Sequence, residues 1–371
     1  MADKHLHIVS FDIPYPADYG GVIDVYYRIK ALSEVGVKVH LHCFEYGRSS
    51  SDKLESLCET VHYYKRSKSP RHIASKLPFI VETRRSEELL KNLLKDSHPI
   101  LFEGLHTTAY LKNKALKGRL KLVRAHNIEH DYYKKLAESE KNAFKRLFFT
   151  AEAGKLKRYE SVLKNADYVL SISEKDQKHF EKLYGNSTLI NPFHSNTPIE
   201  IGGKQAYAFY HGNLTVAENK NAVAFLINDV FPLTEVPLLI AGKGATKAVR
   251  ALNPNLKNLK VVDSPNNETM LNLAKNASVH VLPTFQNTGF KLKLLYSLFT
   301  APVIIANEKM VAGTNLKSFC EIANTPQEMA DLITAHHKSS LDTERLKNRL
   351  SYIQNNFSNR DNALKIKSLL V

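Results

Sequence analysis

The sequence is short of cysteine and of long apolar runs, and each shortage removes a class of protein. Cys43, Cys58 and Cys320 are odd in number and far apart, which argues against a disulfide framework or a cysteine zinc cluster. No stretch approaches the ~18 continuous apolar residues of a membrane-spanning helix. Met1-Ala-Asp-Lys-His-Leu-His7 runs directly into a strand-like segment, so a cytoplasmic location is expected. The Gly-x-Gly-x-x-Gly fingerprint is missing, which leaves a nicotinamide dinucleotide unsupported. No aromatic stacking platform or familiar nucleic-acid module is present either, so no nucleic acid is expected as a partner. Short-period repeats and low-complexity tracts are also lacking.

Acidic residues are outnumbered. Lys and Arg total 52 against 37 Asp and Glu, a net charge of +15, of which +9 falls in residues 1–198. Such a surface attracts polyanions and anionic membranes. Basic patches occur at Tyr63-Tyr-Lys-Arg-Ser-Lys-Ser-Pro-Arg71 and at Lys141-Asn-Ala-Phe-Lys-Arg-Leu-Phe-Phe149. The second mixes cations with three phenylalanines. It suits either a membrane surface or an amphipathic helix whose Phe residues enter the core.

At 371 residues the chain is too long for one typical core, and two domains are expected. Strand-like runs at 5–11, 38–44, 100–103, 120–125, 168–171 and 188–190 alternate with helical stretches, the rhythm of a doubly wound parallel sheet. The pattern stops around Pro192–Pro198, and Gly202-Gly203 marks a hinge. A second series follows at 206–210, 238–241, 259–262, 279–282 and 303–305, with a last short strand at 320–323. The predicted domains are 1–196, 197–350 and a terminal helical segment, 351–371, expected to pack back on the first domain.

Ligands of such sheets bind at the carboxyl ends of the strands. Gly20 and Gly21 follow the first strand, where paired glycines let backbone approach a ligand or simply make a tight turn. His126, with Glu129 and His130 behind it, follows the strand ending at Ala125 and is the best-placed titrating group. His-Asn-x-Glu-His is not the His-Glu-x-x-His zinc pattern, and no metal is expected. In the second series Gly212, Asn213, Asn219 and Lys220 follow one strand, and Gly242 and Lys243 follow the next. Thr284 to Tyr296 then reads as a Gly-bearing loop entering a helix with Lys291 and Lys293 in its first turn. Cations there oppose the helix dipole by a few tenths of a kcal/mol or more. Either they are a solvated pair, or Gly289, the loop amides and Lys291 cradle an anion.

Together, Tyr19-Gly-Gly-Val22, Arg124-Ala-His-Asn-Ile-Glu-His130, Tyr210-His-Gly-Asn-Leu214, Ala241-Gly-Lys243 and Thr288-Gly-Phe-Lys-Leu-Lys-Leu-Leu295 before Ala301-Pro-Val-Ile304 resemble the GT-B retaining glycosyltransferases of family four. The resemblance spans essentially the whole chain. It implies two Rossmann-like domains facing across a cleft, with a nucleotide diphosphate sugar on the second and a glycan or lipid-linked acceptor on the first. Gly21 would contact the diphosphate and His126 the transferred sugar, while Glu129 and His130 would lie on the acceptor side. Gly289, Phe290 and Lys291 would serve the donor. The chain departs from the family's Glu-x7-Glu motif, having Thr288 and Tyr296 in those places, and Asn213 stands where an arginine is common. A phenol reads paired ribose hydroxyls less well than a carboxylate does. The resemblance therefore implies either a hexosyltransferase of cell-surface polysaccharide assembly, peripheral on the inner membrane face and needing no cofactor, or a weakened or non-transferring relative such as an epimerase or binding subunit. A basic nucleic-acid-binding protein is the alternative from another class.

Overall fold

The computed structural model describes residues 3–197, 207–252, 256–286 and 289–370. The chain forms two compact units. One gathers the chain up to Ser195, the short stretch at Gly289 and Phe290, and the segment from Phe357 onward; the other holds the remainder between Asn196 and Asn356.

The first unit is built on a seven-stranded sheet: β1 (Lys4–Ser10), β2 (Val37–Glu45), β3 (Thr60–Lys65), β4 (Ile100–Glu103), β5 (Lys121–Ala125), β6 (Tyr168–Ser171) and β7 (Ser187–Leu189). Their order is β3-β2-β1-β4-β5-β6-β7, and every pairing is parallel. Helices cover both faces, so central strands such as Ile-Leu-Phe-Glu in β4 are buried throughout rather than alternating. Leu6, Ile8, Val39 and Leu41 feed one core layer, while Val9, Phe44 and Phe102 feed the other. The chain winds outward from β1 to β3, then restarts on the other side of β1 with β4. That reversal lies between Ser10 and Glu103, where a crevice is expected at the strand ends.

Strand β3 corrects the sequence reading, which took Tyr63–Arg71 only as a basic patch. It is an edge strand with a single buried side chain, Tyr64, so it carries no apolar run to announce it. The aromatic-basic segment divides likewise. In the helix Ala143–Tyr159, Phe148 and Phe149 turn inward to Phe79 and Tyr133, with ring centroids 5.8 and 5.9 Å apart. Phe144 is 86% exposed and Leu147 69%, so the expectation that all three phenylalanines enter the core fails at Phe144.

The terminal helical stretch is two helices, Thr343–Asn356 and Asn359–Leu369. The second joins the first unit's core through Ala363, Ile366 and Leu370. The Lys367 ammonium donates to the Val35 carbonyl at 2.6 Å.

The second unit has a six-stranded parallel sheet: β8 (Ala208–His211), β9 (Leu238–Gly242), β10 (Leu259–Asp263), β11 (Val279–Leu282), β12 (Ile304–Ala306) and β13 (Glu321–Ile322), ordered β10-β9-β8-β11-β12-β13. Its reversal lies between β8 and β11. The predicted hinge at Gly202-Gly203 and the site residue Thr288 lie outside the described residues.

Candidate functional site

At the reversal of the first sheet, two arginines and two carboxylates form a buried network. Asp24, on the helix Gly20–Glu34, accepts from Arg28 at 2.7 Å, from Arg124 at 2.9 and 3.1 Å, and from the Phe193 amide at 2.8 Å. Arg28 also donates to Glu103, which is fully buried at the end of β4. Burial alone would raise the Asp24 carboxyl; the adjoining Arg124 and Arg28 guanidiniums outweigh it and hold the group well below the usual carboxylate range. Removing one member would strand a buried charge.

His126 is the open edge of this network. Its Nε2 lies 3.0 Å from the second Glu103 oxygen. Glu103 accepts from Nε2 there and sets the orientation of the ring. The Phe11 ring meets His126 edge-on at 5.7 Å, and a Cβ on Gly21 would come within 2.8 Å of Phe11. Gly21 therefore sets where Phe11, and through it the imidazole, can sit. Gly20 opens the same helix.

Glu129 and His130 belong to a different cluster. His130 Nδ1 pairs with Glu160 at 3.0 Å, and His179 reaches the other Glu160 oxygen at 2.9 Å. Glu129 is buried at the start of its helix, and that burial pushes it up to about 8.

In the second unit the loops after β8 and β9 touch backbone to backbone. Gly242 has φ 144°, and a Cβ there would stand 1.9 Å from the Gly212 carbonyl oxygen, so only glycine fits. Asn213 folds its own loop by accepting from the Thr215 amide at 3.0 Å, and its carbonyl accepts from the Asn219 amide at 2.8 Å. Lys243 is exposed. Lys220 lines a separate hollow of about 440 Å³ with Thr215, Gly244 and Lys247, and it does not join the Lys291 cluster.

The helix Leu292–Thr300 starts one residue later than expected, with Lys291 as its N-cap and Lys293 in its first turn. Gly289 has φ 67°, a left-handed conformation. Neither lysine is solvated as a free cation. Lys291 pairs with Glu218 at 2.9 Å, both side chains being largely buried. Thr284 donates to the same Glu218 oxygen. Lys293 donates to Asn219 and, at 3.3 Å, to the Tyr210 hydroxyl. Burial brings Lys293 down to about 8, with Glu218 opposing and Lys291 reinforcing that fall. Glu218 is held low, since Lys291 and Thr284 outweigh the burial that would raise it.

Tyr296 packs edge-on against His211 at 4.8 Å, and its buried hydroxyl has no hydrogen-bond partner among the described residues. Phe290 stands 5.7 Å from Phe357, ring to ring. Sequence reasoning missed Glu103, Glu218 and Thr284. The available signal was position: each sits at a strand end or in the first turn after one.

No family model matches the chain. An uncharacterized 44.6 kDa protein in a cps region of Klebsiella pneumoniae is 27% identical over 381 residues, covering 95% of this chain and 96% of that one. Among solved structures, TarM superposes with a TM-score of 0.70 at 11% identity, covering 100% of this chain and 99% of that one. Arabidopsis thaliana UGT89C1 complexed with UDP gives 0.60 at 12%, covering 99% and 100%. The lipopolysaccharide outer core galactosyltransferase WaaB gives 0.58 at 13%, covering 98% and 99%. The chain has the GT-B fold of these glycosyltransferases.

Proposed function

We propose that the protein transfers a hexosyl group from a nucleotide diphosphate sugar to a glycan or lipid-linked acceptor, with retention, in cell-surface polysaccharide assembly. The observation that carries this reading is the pair Lys291 and Lys293 at the amino end of one helix, where Lys293 donates to Asn219, which packs against Gly212 after β8. Backbone amides, dipole and cations converge there on the chemistry of a departing diphosphate, so leaving-group stabilisation is the main catalytic term. Asn213, Asn219 and Lys243 complete the donor side, with Tyr296 in place of a carboxylate. Lys220 adds positive charge from the neighbouring hollow. The UDP bound to one structural neighbour supports a nucleotide donor, and the cps region of the Klebsiella relative supports the polysaccharide setting.

In the first unit, His126 accepts a sugar hydroxyl at Nδ1 while Glu103 holds Nε2. Glu103 and Asp24 already neutralise two guanidiniums, which disfavours either as a nucleophile and makes same-face attack assisted by the leaving phosphate the simpler route. The same saturation disfavours a cation among Asp24, Glu103 and His126. Glu129 and His130 border the acceptor region, and exposed Phe144 and Leu147 among Lys141, Lys145 and Arg146 suit an anionic membrane surface. No helix among the described residues is long and apolar enough to cross a membrane.

A second reading, a nucleotide-binding or epimerising relative without transfer, is favoured by Thr288 and Tyr296 in the glutamate positions. Titration calorimetry with a panel of nucleoside diphosphates, followed by donor hydrolysis and transfer assays, separates the two. Binding with turnover supports transfer, binding alone supports the second reading, and no binding overturns both.

A further inference from the structure

The amino ends of the first unit's strands carry a feature that the proposed reaction does not use. His5 and His7 in β1, His40 and His42 in β2, and His62 in β3 alternate with core residues, which places them all on one sheet face. His98 joins them from the turn before β4. The deeper members form a hydrogen-bonded chain, Asp96–His7–His42–Tyr64, with links of 2.8–2.9 Å. The outer three, His5, His40 and His98, are half-buried and open to solvent.

We propose that His5, His40 and His98 form a binding site for a zinc-class divalent metal ion. One ring nitrogen from each lies within 4.8 Å of the other two. His5 Nδ1 and His40 Nε2 stand 2.9 Å apart as a hydrogen-bonded pair, so an ion replacing the shared proton needs to part them only to the ~3.3 Å that separates two nitrogens bound at ~2.0 Å to a tetrahedral zinc. The second nitrogen of His40 is held by Thr60 Oγ1 at 3.0 Å, the outer-shell bond that fixes which nitrogen faces a metal. The His98 ring stacks on His5 at 4.4 Å and makes no protein hydrogen bond among the described residues, so it can turn toward an ion without breaking one. Three neutral imidazoles without a thiolate select zinc, copper or nickel over magnesium or calcium. Water would complete the shell. His5 lies five residues, roughly 16 Å at ~3.3 Å per residue, from the carboxyl end of β1 at Ser10, so this site is separate from the His126 network.

The test uses full-length, tag-free protein stripped with chelator and titrated calorimetrically with zinc chloride, with magnesium chloride as control. Expected are one equivalent of zinc bound at micromolar or tighter affinity, a raised melting temperature, and no magnesium binding. Substituting cobalt should give the intense visible absorption of a tetrahedral nitrogen site. His40→Ala and His98→Ala should each abolish the tight equivalent, and Thr60→Val should weaken it ~10-fold. His98 lies in a turn, so His98→Ala decides the matter should His40→Ala fail to fold. The assignment is overturned if wild-type protein shows no saturable one-equivalent binding, or if folded His98→Ala binds zinc like wild type.

Discussion

Lys291 Nζ lies 2.9 Å from Glu218 Oε1, so the cation best placed for a phosphate is already held by a carboxylate. A diphosphate entering this site must displace Glu218, which keeps Thr284 as a partner when it does so. Glu218→Gln should free Lys291 and tighten nucleoside diphosphate binding several-fold. Lys291→Ala should weaken it ~10-fold or more, the scale of a lost charge-assisted hydrogen bond. Calorimetry on both variants checks the pair, and equal affinities in all three proteins would remove Lys291 from the donor site.

For His126→Ala the expected loss is in turnover, with donor affinity largely kept. Loss of one positioned hydrogen-bonding group costs on the order of 10²-fold in rate. Glu103→Ala should act differently because it leaves two buried guanidiniums, Arg28 and Arg124, on the single carboxylate of Asp24: a destabilisation of ~3–5 kcal/mol is expected, read by chemical denaturation. A stable Glu103→Ala protein would show that the network is not held as described.

Two glycine substitutions should separate packing from backbone strain. Gly242→Ala drives a Cβ into the Gly212 carbonyl and is expected to disrupt the second unit. Gly21→Ala meets side chains alone, the Phe11 ring at 2.8 Å and Tyr19 Cε2 at 3.4 Å, so a folded protein with impaired turnover is expected through displacement of Phe11, which packs on His126. Circular dichroism and a transfer assay distinguish these outcomes.

Acid should weaken the second unit through two imidazoles that share one hydroxyl. Ser297 Oγ lies 2.8 Å from His280 Nδ1 and 3.0 Å from His211 Nε2, and His280 Nε2 donates to the Ala274 carbonyl at 2.9 Å. Burial brings His280 down to about 4 and His211 well below 6.5, so both stay neutral in the fold. Below 6.5 the unfolded chain takes protons that the folded chain refuses. Stability is therefore full above 6.5 and falls as pH drops toward 4, by up to ~1.4 kcal/mol per pH unit for each histidine. His280→Gln should reduce that slope by about one proton in pH-dependent denaturation; an unchanged slope would exclude His280.

The strand-helix alternation was legible in sequence because central parallel strands are continuous apolar runs, whereas the strand order that sets each reversal came only from the structure. Edge strand β3, with Tyr64 alone buried, had no such signature. Gly212, Gly242 and His126 could be placed because a strand end precedes each of them. Glu218 and Glu103 could not, since their significance lies in partners 73 and 75 residues away, Lys291 and Arg28. The paired His-Leu-His segments at 5–7 and 40–42 were visible as text, but parallel register is what sets His7 opposite His40.

On the proposed reading, Lys291, Lys293 and the glycine loops of the second unit hold the diphosphate of a sugar donor. Calorimetric titration of the purified wild-type chain with uridine, guanosine, adenosine and thymidine diphosphates tests it most directly. Saturable one-to-one binding of at least one of them, weakened ~10-fold or more in Lys291→Ala, is the predicted result. Failure of all four to bind, or undiminished binding in Lys291→Ala, would contradict it.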